Sequence, residues 1–263
     1  MNDIPARLVK ELRDQTGAGM MDCKRALEET GGDLEAARRL LRERGIAQAA
    51  KRAGKETSEG KVVYRLHDAS AAMVAVGCET EPVANNEEFL TFAQRVVDAV
   101  EKDGPQAADS LEEERTELVA KLGENVVVRG AARFQADDGE VLAVYVHPPV
   151  HKLGVLLHAR GNPDLARQVA MHIAASRPAY VSRADVPDAE IDAEREILSK
   201  QPDVATEPEQ VQAKIVEGRI EKWYADNVLE DQEWIHDTSR KVADVLTDSG
   251  LEIVEFRRFA LAE

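Results

Sequence analysis

The sequence predicts an α+β protein. Three observations carry the prediction: short apolar stripes of helical period through residues 1–55, a switch to strand period beyond residue 60, and a pair of long helical segments after Pro187. Ile4, Leu8, Val9 and Leu12 fall at helical spacing, with Pro5 where a first-turn proline is tolerated. Thr16-Gly17-Ala18-Gly19 breaks that pattern, residues 20–27 resume it, and Gly31-Gly32 stops it again. Asp33 is a good N-cap for a third helix whose apolar face is Leu34, Ala37, Leu40 and Leu41. Arg42 and Arg44 suit its last turn and Gly45 stands just beyond, so the helix is expected to end there. Residues 47–60 offer no large apolar side chain except at the edges and read as a linker. Residues 1–55 are the expected first domain, a small three-helix unit with its linker.

Residues 61–66 and 72–78 follow as two strands joined by His67-Asp68-Ala69-Ser70. The next helix, over 89–100, has Phe89, Phe92, Ala93, Val96, Val97 and Val100 on one face. An acidic stretch with Gly104-Pro105 leads to another helix around 112–122. Residues 126–134 and 141–146 flank Asp137-Asp138-Gly139, a hairpin signal, and 153–158 is a further strand before Asn162-Pro163 and a helix over 165–175. The order strand, strand, turn, helix thus occurs twice. It divides the core into subdomains at 56–140 and at 141–182 with 229–263. Between the two parts of the second, residues 183–228 read as an antiparallel helical hairpin, with helices near 188–200 and 208–226 separated by Pro202 and Pro208. Its second helix carries Val211, Ile215, Val216, Ile220, Trp223 and Tyr224 as a stripe, and its charged outer face is left to solvent. A helix over 241–246 and a strand over 251–261 are expected to close a sheet begun earlier.

At 263 residues, 43% hydrophobic and 32% charged, the chain can bury a core without cross-links. No window reaches the roughly 18–20 apolar residues of a membrane span, so no membrane contact is expected. The opening MNDIPARLVKELRD mixes charges of both signs with apolar positions, unlike a signal peptide, and the expected compartment is the cytoplasm. Cys23 and Cys78 read as buried free thiols rather than a disulfide framework or a thiolate metal cage. A formal charge of -16 argues against direct nucleic-acid binding, which needs clustered Lys and Arg. The charge is uneven, +3 over residues 1–55 and -19 over the rest, which marks the N-terminal segment as a separate unit. No nucleophile, base and orienting group fall into a recognisable arrangement, so neither an enzyme nor a cofactor is expected.

The most distinctive segment is Thr16-Gly17-Ala18-Gly19-Met20-Met21-Asp22-Cys23-Lys24-Arg25-Ala26-Leu27. Its glycines permit a tight turn into a helix, and two adjacent methionines cannot both face the core of so small a bundle, so one is expected at the surface. There it offers a partner an adaptable contact; the alternative is helix packing and nothing more. A phosphate-binding loop is not indicated, because the glycine spacing differs and no Lys-Ser or Lys-Thr follows. The segment resembles the N-terminal signature of the elongation factor Ts family. Leu118-Val119-Ala120-Lys121-Leu122-Gly123-Glu124-Asn125, His172-Ile173-Ala174-Ala175-Ser176-Arg177-Pro178 and Lys214-Ile215-Val216-Glu217-Gly218-Arg219 look like further landmarks of that family, in family order. The likeness runs through essentially the whole chain. It implies a ubiquitin-associated-like three-helix domain, a core of two related antiparallel-sheet-plus-helix subdomains, and a protruding helical hairpin. A C-terminal module of longer members is expected to be absent.

By the same resemblance the partner is elongation factor Tu, in its GDP-bound and nucleotide-free forms, with a dimer of heterodimers as one assembly open to it. The family's exchange wedge falls at Thr80-Glu81-Pro82-Val83-Ala84, where the usual pattern is Thr-Asp-Phe-Val-Ala. In the family that aromatic ring pushes between helices of elongation factor Tu and disturbs the element holding the nucleotide's magnesium. Pro82 cannot supply the roughly 150–250 Å² that such a ring buries, while Glu81 keeps the carboxylate on a longer stem. Arg13, Met20 and Met21 match positions that meet the GTPase domain. Leu122 and Gly123 match core contacts, and His147 matches a histidine that meets the C-terminal part of elongation factor Tu. Trp234 and Ile235, after acidic Glu230-Asp231-Gln232-Glu233, read either as a further contact or as ordinary core. His147 and His151 also make a His-x3-His spacing. Pro148 and Pro149 forbid the helix that would aim both rings together and no third ligand is evident, so no metal is expected. The expected function is guanine nucleotide exchange without covalent chemistry; the alternative is a scaffold or holder that binds elongation factor Tu with a weakened wedge.

Overall fold

Glycines and one aspartate divide the first fifty residues into helices. In the computed structural model, which describes residues 4–262, α1 (Ala6–Thr16) ends at Gly17 in the left-handed conformation and α2 (Met20–Glu29) begins directly after Gly19. The Asp33 side chain caps α3 (Leu34–Arg52) by accepting the Ala36 N–H at 3.0 Å. Val9, Leu12, Cys23, Ala26, Leu27 and Ala37 form the small core between them. The third helix does not stop at Gly45 but runs on to Arg52, through much of the stretch read as a linker. Gly45 serves close packing rather than a cap: a Cβ there would stand 2.9 Å from the Cβ of Ala120, in the helix Glu112–Leu122. Ala49 is buried against the first core subdomain and Arg52 pairs with Glu79 at 2.9 Å. The N-terminal unit is therefore docked along its third helix.

The next segment comprises β1 (Glu59–Leu66), β2 (Ser70–Cys78), the single turn α4 (Glu81–Ala84), α5 (Glu87–Asp103), α6 (Glu112–Leu122) and β3 (Val126–Gln135). Its antiparallel sheet has the order β1-β2-β3. The order recurs in β4 (Glu140–Val146), β5 (Leu153–Arg160), α7 (Pro163–Ser176) and, after the hairpin, β8 (Glu252–Ala260), giving a second sheet β4-β5-β8. Strand period two decides what each face touches. Ala72, Val74 and Val76 of β2 meet the apolar stripe of α5, while Ala71, Met73 and Ala75 meet Leu156 of the second sheet and Leu261 just past its last strand. Val155, Leu157 and Ala159 of β5 likewise meet Val169, Ala170 and Ile173 of α7. The result is helix, sheet, sheet, helix, with a shared core between the sheets.

Asp137-Asp138-Gly139 does form a tight turn, with the Glu140 N–H on the Asp137 carbonyl at 3.0 Å, but it does not make a hairpin. β3 pairs with β2 and β4 with β5, so the chain crosses here from one sheet to the other. Pairing the two strands would set Ala132, Phe134, Leu142 and Val144 side by side on one surface. Crossing buries the two rows against each other. Glu140 fastens the crossing. Its carboxylate accepts from the Asp137 N–H at 3.0 Å, from Arg160 Nε at 2.9 Å, and pairs with His158 Nε2 at 2.8 Å. These partners, the Asp137 N–H foremost, hold its pKa down to about 2.

Between α7 and the end of the second sheet stand α8 (Asp188–Ser199), the one-turn α9 (Pro202–Ala205) and α10 (Glu209–Asn227), followed by β6 (Glu233–Trp234), β7 (Asp237–Lys241) and α11 (Val242–Ser249). Leu198 of α8 and Val204 of α9 pack on Val216 and Ile220 of α10. Val211, expected in that stripe, lies beyond it and is exposed. The hairpin's entry and exit are stitched together: the Ala179 and Tyr180 N–H groups donate to the Asn227 carbonyl at 2.8 and 3.1 Å, and Leu229 N–H donates to Tyr180 at 2.9 Å. β8 pairs with β5 and closes the second sheet, as its strand chemistry predicts. Among the described residues no helix is long and apolar enough to cross a membrane.

Gly45→Val is expected to destabilise the protein by about 1–3 kcal/mol in urea unfolding through overpacking against Ala120, and Gly45→Val with Ala120→Gly to recover part of that loss. Glu140→Gln is expected to lower the melting temperature at pH 7. A carboxylate held below its ordinary value of about 4 stabilises fully above that pH. The contribution fades as the pH falls towards about 2, so the melting curves of variant and parent converge there.

Candidate functional site

Residues 79–84 leave the end of β2 as a short projecting turn, pinned mainly through Thr80. Thr80 precedes α4, and its carbonyl accepts the Ala84 N–H at 3.0 Å and the Cys78 thiol at 3.3 Å. Cys78 and Cys23 are free and buried; burial pushes the Cys78 thiol up to about 12. Pro82 sits in the first turn of α4, where its missing N–H leaves nothing unpaired. Ala84 is buried and Val83 half-buried against the first core, whereas Thr80, Glu81 and Pro82 are exposed.

A second segment holds this turn from below. Gly123, left-handed, ends α6 with its N–H on the Val119 carbonyl at 2.9 Å and turns the chain back towards β2. Glu124 then accepts both the N–H of Thr80, at 3.0 Å, and its hydroxyl, at 2.6 Å. Asn125, buried, donates its N–H to Glu79 at 2.6 Å and its side-chain amide to the Lys55 carbonyl at 3.0 Å. Burial acts to raise the Glu79 carboxyl, but the Asn125 N–H and the Arg52 guanidinium outweigh it and hold the group ionised, below its ordinary value. Three segments thus converge: the end of α3, the turn after β2 and the α6–β3 connection. Glu79 and Arg52 were not singled out from the sequence, and Glu124 and Asn125 entered its reading only as the end of the landmark 118–125, with no role given. Their signal was the helix-stopping glycine followed at once by an acid and an amide.

The structure brings Leu122 and Gly123 directly beneath the turn, Leu122 half-buried on the first core. Arg13 is exposed on α1. Met20 and Met21 are both exposed, at 55% and 64%, where one was expected. The inward stripe of α2 begins only at Cys23, and the three-helix core ends before it reaches either methionine. His147 lies on the β4–β5 connection, exposed, its Nδ1 2.8 Å from the Tyr145 hydroxyl, and His151 is exposed on the same loop. Among the described residues no group of three or more His, Cys, Asp or Glu is placed to hold a metal ion. Trp234 is core: it is 5% exposed and stacks on the His172 ring at 5.3 Å, which removes it from any partner surface. Its neighbour Ile235 is exposed.

His172 was read only as a landmark, and the structure gives it a role in packing. Burial lowers its pKa, and as a neutral ring it accepts the Ile235 N–H on Nδ1 at 3.4 Å and stands 2.9 Å from the Gln232 carbonyl on Nε2. Gln232 in turn donates to the Ser176 and Asp226 carbonyls. The network joins α7 to the segment that leaves the hairpin.

Two cavities, of about 560 and 810 Å³, lie beside β3 and between α3 and α6. Neither is lined by residues 80–83. The turn is a projection, suited to entering a partner rather than to enclosing a small molecule.

A family model described as elongation factor TS matches residues 79–263. The curated elongation factor Ts of Thioalkalivibrio sulfidiphilus is 42% identical, over 99% of this chain and 92% of its own length. Those of Gluconobacter oxydans and Rhodospirillum centenum are 41% and 40% identical, over 100% of this chain and 93% and 94% of theirs. On this match and on an α+β fold that agrees with it, the chain belongs to the elongation factor Ts family.

Proposed function

We propose that this chain binds elongation factor Tu and speeds release of its GDP, with turn 80–83 as the element that disturbs the partner's magnesium and phosphate site. The observation that carries the reading is that this turn is exposed at Glu81 and Pro82 yet anchored through Thr80 by Glu124. A loop already fixed in one conformation spends less of the contact energy on ordering itself, and more of it reaches the partner. Exchange then needs no covalent step. A factor that binds the nucleotide-free partner more tightly than the loaded one weakens nucleotide binding by the same ratio. Met20, Met21, Arg13 and Ile235 are exposed and available as further contacts, as is His147. The cytoplasm is the expected address, and neither nucleic acid nor a membrane is part of the reading.

One observation favours a second reading. The projecting residue is Pro82, whose ring is much smaller than the aromatic one the family pattern places there, and a chain with that turn could hold elongation factor Tu without prying it open.

Stopped-flow release of fluorescent GDP from the cognate GTPase tests the proposal: saturable acceleration is expected, and none at saturating protein would sink it. Glu124→Ala, which frees Thr80, is expected to slow the saturating rate roughly five- to tenfold, the equivalent of about 1–1.4 kcal/mol, with little change in melting temperature. Pro82→Phe separates the two readings. A large gain in rate at nearly constant affinity identifies the parent chain as a holder; a small change means that exchange here proceeds without the ring.

A further inference from the structure

We propose that Lys121 is a positioning residue that couples the N-terminal unit to the exchange turn, so that contact made at Met20 and Met21 is registered against Glu81 and Pro82. The inference rests on the exchange reading above and adds a residue to it.

Gly17 closes α1 three positions before Met20, and it lies flat against the Lys121 side chain: a Cβ at Gly17 would stand 2.6 Å from both Cε and Nζ of that lysine. The left-handed backbone is what calls for glycine here, and its bare Cα leaves room for the tip of the lysine to lie against it. The same ammonium is 2.6 Å from the Glu88 carboxylate, in the first turn of α5, the helix that follows directly on α4. One side chain thus touches the turn that presents the methionines and the helix that follows the wedge turn.

The neighbours of Lys121 repeat the pattern. Ala120 meets Gly45 of α3. Glu124 holds Thr80, and Asn125 holds Glu79 on one side and the Lys55 carbonyl, at the end of the N-terminal unit, on the other. The end of α6 is in effect a bracket between the two partner-facing segments. Lys121 is a solvated member of that bracket, and its loss leaves the core intact. It and Glu88 are 36% and 44% exposed, and a pair so solvated adds little to global stability. What it fixes is the angle at which two surfaces meet a third, and small errors of that kind act on the rate more than on the fold.

The test reads rate, affinity and geometry separately. Lys121→Met is expected to lower the saturating GDP-release rate about two- to fivefold, with the half-saturating concentration and melting temperature close to the parent's, and Lys121→Arg to restore the rate. Met20→Ala with Met21→Ala is expected to do the opposite, raising the half-saturating concentration more than it lowers the rate. Independently of any partner, spin labels at Met21→Cys and Pro82→Cys are expected to show a broader distance distribution once Lys121→Met is added. The native thiols are buried and escape labelling. Equal saturating rates, or an unchanged distance distribution, overturn the coupling. A parent chain that fails to release GDP while the distribution still broadens overturns the exchange reading and leaves the bracket standing.

Discussion

The two central strands, β2 and β5, are buried on both faces, and most of the architecture follows from that constraint. Each must offer one row of side chains to a helix and the other row to the opposite sheet, so each sheet can be covered only if the other is present. Leu156 of β5 and Met73 of β2 are fully buried in the shared layer, and neither subdomain could bury that row alone. The crossing at residues 137–139 is the covalent link this arrangement requires, and the ion cluster at Glu140 stands where the link enters the second sheet. The turn at residues 80–83 emerges from the end of β2, so its root is the most firmly packed strand of the first sheet.

Local signals made the helices and strands legible. The Asp33 cap, the α5 stripe from Phe89 to Val100 and the strand chemistry of β8 all depend on residues close in sequence, and the structure follows them. The failures concern partners distant in the chain. Asp137-Asp138-Gly139 has the same turn chemistry whether the strands it joins pair or part, and only the burial of Phe134 against the second sheet decides. Gly45 looks like a helix stop until Ala120, in another helix, is seen against it. Trp234 could have been surface or core on its sequence neighbours alone; the ring beneath it belongs to His172.

The site was legible in part for the same reason. Residues 80–83 and Met20 and Met21 came from segment identity; Thr80, Glu81, Pro82 and both methionines are exposed, and Val83 is half-buried. What holds the turn at 80–83 is not adjacent to it in sequence. Glu124 lies far along the chain from Thr80, and its two hydrogen bonds appear only once α6 has folded back on β2. The exposed residues of this turn, Glu81 and Pro82, and the groups that fix its position, Glu124 among them, lie in separate segments of the chain.

The stitched neck of the hairpin separates two design problems. Ala179, Tyr180, Asn227 and Leu229 bind entry to exit within a few ångströms, so the second sheet meets a closed pair of ends and never senses the length of what lies between them. Turns of helix can be added or removed in register at the far end at the cost of loop entropy that grows only slowly with length. Reach is thereby separated from the closure of the second sheet.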